Sequence, residues 1–436
     1  MSGESLVRAL RRRDLTGLLL NAMMGAGMLA APARVFGLVG DWGFVVLFAS
    51  AAIILPLILC FADLGSRFSG VGGPYLYARE TLAPWLSFLV GWLLWISQGL
   101  GIATLSNLLI SYVAGFAPGI ADGAPRAGVI IGLAAILTMI VLVGIRQSAR
   151  ASNLLIVLKG AFVVGFLIAG AAWIQPQHLV IRPPPPAPIA FAQAILVYLF
   201  GYSGFERGAV VAGEARDPQK DVPAALLIGL ALATLAYGAV LLICVGVLDD
   251  PSATDRPLAE VGRTLFGGAG QFIVSCGAII VIVGTILGLV LTMARLLMAL
   301  SHHGQLPAAL GRLHSGWRTP HWAVLASAIF GFSAALGSDL IGSLTFSTAA
   351  RLVVYMISCF ALWRLTQRPN APKPRFAVPG AGGLALATIA LFAGVLALGA
   401  TKELPLLAMA CIIGLMVFAA IGRGRTAPSP DPQSTS

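Results

Sequence analysis

The sequence predicts an all-α integral membrane protein of about twelve transmembrane helices, with helices 1 and 6 broken. Hydrophobic residues make up 58% of the 436 residues and charged residues only 10%, far below the roughly 25% charged fraction of soluble domains. Apolar runs of about 20 residues, the length that crosses a hydrocarbon core, recur along the chain. Two of these runs are interrupted by glycines at mid-depth. A soluble fold is excluded, because it could not bury so much apolar surface.

The apolar runs divide the chain into five parts. We expect a cytoplasmic N-terminus (1–13), a first repeat of five helices (14–174), a second repeat of five (189–365), a final helix pair (381–421) and a tail (426–436). The tail is rich in Pro and Ser, and we expect it to be disordered. The predicted membrane segments are 14–40, 42–66, 83–116, 127–144, 152–174, 189–213, 222–248, 269–300, 321–337, 340–365, 381–399 and 404–421.

Basic residues are distributed unevenly over this topology. The net charge of +11 could by itself indicate nucleic-acid binding. With both termini in the cytoplasm, however, eighteen Lys and Arg residues fall on cytoplasmic segments and six on the opposite side. This asymmetry follows the positive-inside rule, so topology explains the charge and no nucleic-acid partner is expected. We expect a multi-pass protein embedded in the lipid bilayer of a bacterial-type inner (plasma) membrane.

Glycines interrupt helices 1 and 6, at Gly25–Gly27 and Gly201–Gly204. Where a helix breaks, its second half begins with unpaired N–H groups and partial positive charge, and its first half ends in unpaired carbonyls. Matched breaks in two halves of a membrane protein indicate a transporter built from inverted repeats, with its binding site at the breaks. The alternative is that these glycines only allow helices to pack closely.

The two breaks together predict a site for a zwitterion such as an amino acid. Its carboxylate would bind backbone amides near Ala26, Gly27 and Met28. Its ammonium would bind carbonyls near Phe200, Gly201 and Ser203. The predicted substrate-binding residues are Gly25, Ala26, Gly27, Met28, Phe200, Gly201, Tyr202, Ser203 and Gly204.

The chain resembles the amino acid–polyamine–organocation (APC) superfamily over nearly its whole length. The resemblance rests on NAMMGAGMLAAPARVFGLVG in helix 1, GSRFSGVGGPYLYARE after helix 2, GIRQSARASNLLIVLKG entering helix 5, LFGYSGFERGAVVAGEARDPQKDVPAAL through helix 6 and ARLLMALSHHGQLPAAL leaving helix 8. It implies the five-plus-five inverted-repeat (LeuT-like) fold, alternating access, and an amino acid or amine bound at the two breaks. It also implies that Phe200 or Tyr202 acts as a lid, with ordinary packing as the alternative.

Lys159 lies about eight residues into helix 5, where an ammonium group is costly and is a functional candidate. Its flexible stem could also let it reach the cytoplasmic surface. The resemblance implies that a lysine here takes the place of the sodium ion bound by sodium-coupled relatives. We hypothesise that Lys159 couples transport to protons.

Two further ionisable residues are predicted at membrane depth. Glu206 follows the second break, where it is either a helix cap favoured by the helix dipole or a proton-sensing or gating carboxylate. Arg351 lies in the middle of helix 10, where a buried guanidinium needs a partner. Arg351 either holds helices together or faces the transport pathway.

The sequence predicts neither an enzyme nor a bound cofactor. No nucleotide-binding loop is present, and the adjacent His302 and His303 point in different directions on a helix, so no metal site is expected. A membrane enzyme would need clustered catalytic residues, and a channel would have no use for two matched breaks. We predict a proton-coupled, sodium-independent amino acid transporter that favours neutral substrates, because few acidic residues lie at membrane depth. An amino acid or amine exchanger, or an exporter, is the alternative.

Overall fold

The computed structural model describes residues 11–68, 73–143, 145–182, 184–206 and 215–421. Over these residues the chain forms α-helices and short 3-10 turns without any β-strand, which confirms the all-α prediction. The helices are α1 (Arg12–Met23), α2 (Ala26–Val39), α3 (Gly43–Arg67), α4 (Pro74–Thr81), α5 (Pro84–Ala114), α6 (Gly123–Leu142), α7 (Ile145–Ala171), α8 (Pro188–Tyr202), α9 (Pro218–Val247), α10 (Pro257–His302), α11 (His321–Gly337), α12 (Leu340–Thr366), α13 (Ala381–Gly399) and α14 (Leu404–Ile421).

Nine helical stretches within these described ranges are long and apolar enough to cross a membrane. Helices α8 and α11 are also apolar but have fewer than 18 residues. The chain is therefore a multi-pass membrane protein. The count of twelve crossings and the inverted repeat stay predictions.

Large apolar side chains cover the outer surface of the helix bundle. Ile168 of α7 is 72% exposed, Ile273 of α10 67% and Ile329 of α11 65%. In water such a surface would favour aggregation, whereas hydrocarbon chains solvate it. The exposed faces therefore belong against lipid.

Helix α5 forms the centre of the bundle, since 89% of its most apolar 18-residue stretch is buried inside the protein. It packs against α10, α11 and α12, and small residues allow the close approach. A Cβ atom on Gly91 would lie 2.8 Å from Leu300 Cδ2, and one on Gly99 would lie 2.4 Å from the Phe330 ring. Without a hydrophobic driving force inside a bilayer, such close contacts hold membrane helices together.

Two described helical stretches lie outside the predicted membrane segments. Residues 257–265, before the segment predicted from 269, belong to a helix that starts at Pro257 and continues across a kink at Phe266 and Gly267. Helix α4 lies between the predicted segments 42–66 and 83–116. Both stretches carry charged residues, so they lack the apolar run on which the prediction depended. Residues 1–10 of the predicted N-terminus, residues 207–213 of the sixth segment, and the tail 426–436 lie outside the described residues.

Candidate functional site

The first break separates α1 from α2 at Met24 and Gly25. Both residues have non-helical backbone angles, and Gly25 has φ −120° and ψ −137°. The break therefore includes the first of the two predicted glycines. Ala26, Gly27 and Met28 form the first turn of α2, where backbone N–H groups have no acceptor within the helix.

The second break follows Tyr202, the last residue of α8. Ser203 is extended, and Gly204 has φ +111°, a conformation that glycine adopts without steric cost. A Cβ atom on Gly204 would lie 2.9 Å from the carbonyl oxygen of Ala22 in α1. The chain therefore turns directly against the end of α1, and it is helical again at Glu206.

The two breaks touch each other through backbone atoms. A Cβ atom on Gly27 would lie 2.2 Å from the Cα atom of Gly201 and 2.9 Å from its nitrogen. Carbon atoms normally pack about 3.5–4.0 Å apart, so no other residue fits at position 27 without moving a helix. The start of α2 and the end of α8 are thus in direct contact.

Tyr237 of α9 links the two breaks. Its buried hydroxyl group lies 2.5 Å from the carbonyl oxygen of Met23 and 2.8 Å from that of Gly201. A hydroxyl group has one hydrogen to donate, so it cannot fully satisfy both carbonyls at once. Sequence reasoning missed Tyr237, although a lone tyrosine inside the apolar run LATLAYGAV was a usable signal.

The carbonyl of Phe200 is less accessible than predicted. It accepts hydrogen bonds from the Ser203 backbone nitrogen at 3.3 Å and from the Ser203 hydroxyl at 2.5 Å. An ammonium group at this carbonyl would have to displace one of these donors. The carbonyl of Met23 likewise accepts two hydrogen bonds, from the Gly25 backbone N–H at 2.8 Å and from the Tyr237 hydroxyl. The Gly201 carbonyl accepts from that hydroxyl as well and is the better acceptor for an ammonium group.

A small cavity of about 30 Å³ lies where the breaks meet. This is room for about one water molecule, so an amino acid would enter only if the surrounding helices moved apart. Helices α1, α2, α5, α8, α10 and α12 contribute to its walls. The lining residues are Ala22, Met23, Gly25, Gly27, Gly101, Leu105, Phe200, Gly201, Ser203, Thr285, Leu289 and Arg351.

Predicted site residues differ in their relation to this cavity. Phe200 lines it. Tyr202, the other predicted lid residue, does not, since its hydroxyl group forms a 2.9 Å hydrogen bond with Thr234 of α9. Met28 is buried next to the cavity-lining residues but does not line the cavity itself.

A larger cavity of about 380 Å³ lies further along α2 and α8, towards the side predicted to be extracellular. Arg34, Gln193, Lys402 and Glu403 supply polar groups to its walls. Ligand cavities commonly have volumes of roughly 300–1,000 Å³. This outer cavity is therefore large enough for an amino acid, whereas the one between the breaks is not.

Lys159 is 4% exposed and does not reach the surface. Its ammonium group donates a 2.6 Å hydrogen bond to the carbonyl oxygen of Asn21, in the last turn of α1. The last turn of a helix carries partial negative charge, which favours a positive charge at this point. Lys159 thus connects α7 to the half-helix that ends at the first break.

Glu206 forms a buried polar cluster with Arg351 and Tyr355 of α12. Its Oε2 atom accepts hydrogen bonds from the Gly204 backbone N–H at 2.8 Å and from the Tyr355 hydroxyl at 3.0 Å. Its Oε1 atom lies 3.8 Å from Arg351 Nε. Glu206 is 1% exposed and Arg351 is 5% exposed. Tyr355 could not be predicted from the sequence, because this contact joins residues 149 positions apart.

His303, the residue after α10, faces a cation. The His303 ring contacts the Arg79 guanidinium, and burial together with the Arg79 charge lowers the pKa of His303. The imidazole therefore favours its neutral form. Within the described part of the chain, no group of three His, Cys, Asp or Glu side chains could hold a metal ion.

Comparison with known proteins gives consistent matches along the chain. The sequence profile of the amino acid permease family matches residues 10–418. The chain is 29% identical to the methylthioribose transporter of Bacillus subtilis, over 76% of each chain. It is 26% identical to the branched-chain amino acid permease of the same organism, over 87% of this chain and 85% of the permease. It is also 26% identical to the serine/threonine exchanger of that organism, over 83% of this chain and 84% of the exchanger.

Proposed function

Because this chain belongs to the amino acid permease family, whose named relatives are transporters and not enzymes, we propose that it is a secondary active transporter of neutral amino acids. The contact between the two helix breaks carries this proposal. It places the amide-rich start of α2 beside the carbonyl-rich end of α8. A zwitterion needs both kinds of group, one for each end.

The proposed topology has twelve crossings with both termini in the cytoplasm of a bacterial-type inner membrane. In it α1 and α2 form one interrupted crossing, and α8 begins another that continues after the second break. The excess of basic residues on the cytoplasmic segments supports this orientation. In this orientation the outer cavity of about 380 Å³ opens towards the outside of the cell.

Alternating access accounts for the two cavities. The substrate would enter through the outer cavity of about 380 Å³ and reach the breaks, where only about 30 Å³ is open. Binding would therefore require α2 and α8 to move away from α5, α10 and α12. Such a rearrangement lets one central site open to each side in turn.

Neutral substrates fit the charges near the breaks. Arg351 and Glu206 are 3.8 Å apart and balance each other. A charged substrate side chain beside this pair would leave an unbalanced charge buried at membrane depth, which is costly.

We propose that a proton gradient, and not a sodium gradient, drives transport. The Lys159 ammonium group donates a hydrogen bond to the end of α1, and it would take the place of a bound cation there. Glu206 is a second group that could take up a proton, because it lies at the other break and contacts α12. Changes of protonation at either residue would alter contacts between helices that form the site.

Uptake into proteoliposomes tests the proposal directly. We expect labelled neutral amino acids to accumulate when an inward proton gradient is imposed, without sodium, and accumulation to stop when the gradient is collapsed. Uptake that requires preloaded unlabelled amino acid would instead identify an exchanger, the function named for one relative. Failure to transport any amino acid would contradict the proposal.

Replacing Glu206 by glutamine should lower neutral amino acid uptake about tenfold and flatten its pH profile. The amide keeps one acceptor oxygen but loses the charge that balances Arg351 and the ability to bind a proton. The measurement is initial uptake rate against pH, with Glu80→Gln as the control, because Glu80 is exposed and pairs with Arg79. A pH profile of unchanged shape, lowered equally throughout, would assign Glu206 a structural role as a helix cap.

A further inference from the structure

Arg351 brings a hydrogen-bond donor to the cavity between the breaks. It lines that cavity although it is 95% buried. Its Nε–H group has no hydrogen-bond partner among the described residues. The nearest carboxylate oxygen, Oε1 of Glu206, is 3.8 Å away, which is too long for a hydrogen bond. A buried donor without a partner points to an acceptor that arrives with a ligand.

Among the described side chains that line the cavity, the other hydrogen-bond donors are the hydroxyl groups of Ser203 and Thr285, and the Ser203 hydroxyl already donates to the Phe200 carbonyl. If the two breaks hold the ammonium and carboxylate of an amino acid, its side chain faces Gly101 and Leu105 of α5, Leu289 of α10, and Arg351. The hydroxyl group of Thr285, which also lines the cavity, already donates to the Val281 carbonyl at 2.8 Å. Arg351 is thus the donor that a substrate side chain would meet.

We infer that Arg351 is a specificity-determining residue that selects neutral amino acids whose side chain carries a hydrogen-bond-accepting oxygen, such as serine, threonine and asparagine. This inference rests on the proposed function. Branched apolar side chains would leave the Nε–H group unpaired, and sites built around a donor discriminate strongly against ligands that lack the acceptor.

The size of the cavity and the charge of Glu206 restrict the class of substrates further. Leu105 and Leu289 are large side chains in the wall of a cavity of only about 30 Å³, so small substrate side chains require the least separation of the helices. An acidic side chain would place a second anion near the carboxylate of Glu206, which already balances Arg351. Small, uncharged and oxygen-bearing side chains satisfy all three conditions.

The test compares pairs of amino acids with similar shapes. Binding of threonine and valine, and of serine and alanine, is measured by calorimetry on the full-length purified protein in detergent. We expect threonine to bind about tenfold more tightly than valine, because one hydrogen bond to a charged donor is gained. Equal affinities for threonine and valine, or tighter binding of aspartate than of either, would overturn the inference.

The variant Arg351→Lys keeps the positive charge beside Glu206 but loses the Nε–H group and the planar donor geometry. We expect it to lose the preference for threonine over valine. Arg364→Lys is the control, since Arg364 lies on the same helix but is exposed and should keep the preference. A threonine preference retained by Arg351→Lys would assign selection to another residue.

The comparison within the wild type needs no variant, so it decides the matter even if Arg351→Lys does not fold. If the protein binds and transports neutral amino acids without preferring those with a side-chain oxygen, this inference fails and the proposed function stands. If it binds no amino acid at all, the proposed function itself fails.

Discussion

Replacing Gly27 by alanine will reduce amino acid uptake about 100-fold or more. The added Cβ atom would lie 2.2 Å from the Cα atom of Gly201, and neither backbone can give way without moving its helix. Relieving the overlap requires α2 and α8 to separate by more than an ångström, and a displacement of about 1 Å at a functional site can cost roughly 10²-fold in activity. The amides at the start of α2 and the carbonyls at the end of α8, which form the proposed zwitterion site, would then move away from each other.

The control is Gly132→Ala on α6, where a Cβ atom would meet nothing within 4 Å. This change should leave uptake unaffected, because alanine is at least as favourable as glycine inside a helix. Thermal stability and monodispersity in detergent are measured for both variants, so that loss of the fold is separated from loss of the site. Normal uptake by a folded Gly27→Ala protein would show that contact between the breaks is not needed for transport.

The sequence predicted the bounds of apolar helices well wherever apolar runs end abruptly. The bounds of α11, α13 and α14 match the predicted segments residue for residue. Each of these runs begins and ends beside polar, proline or glycine residues, and these residues mark the ends of an apolar helix. Residues 257–265 were missed because hydropathy does not distinguish a charged surface helix from a loop.

The positions of the breaks could be predicted from the sequence, but the side chains that contact the breaks could not. Glycine can interrupt a helix locally, so the positions of the glycines in the sequence indicated the two breaks to within a residue or two, at Gly25 and Gly204. Tyr237, by contrast, reaches Gly201 from 36 positions along the chain, and Arg351 meets Glu206 from another helix. Such contacts depend on how helices pack, and no single-sequence pattern records that packing.

The relatives differ in the substrates for which they are named. Proteins of similar identity to this chain are named for methylthioribose, for branched-chain amino acids and for serine and threonine. Similar sequences in this family are therefore associated with chemically different substrates. In the proposed site, backbone groups at the two breaks would bind the ends that all amino acids share, and selection among amino acids would fall to side chains such as Arg351.

Replacing Lys159 by alanine will remove the response of transport to a proton gradient. The Lys159 ammonium group is buried and lies 2.6 Å from the Asn21 carbonyl, at the negative end of α1. When the lysine loses its proton, the attraction to this helix end falls, and α1 is free to move relative to α7. Alanine cannot take up a proton, so we expect exchange of amino acids to persist while accumulation driven by the gradient is lost.

The measurement compares gradient-driven accumulation with exchange in the same proteoliposomes. Lys220→Ala is the control, since Lys220 is exposed at the start of α9 and should behave as the wild type. Lys159→Arg separates charge from proton transfer, because arginine keeps the charge but does not release its proton. Exchange without accumulation in both Lys159→Ala and Lys159→Arg would identify the proton on Lys159 as the coupling element. Accumulation that survives in Lys159→Arg would show that the positive charge alone is needed, as a fixed replacement for a bound cation.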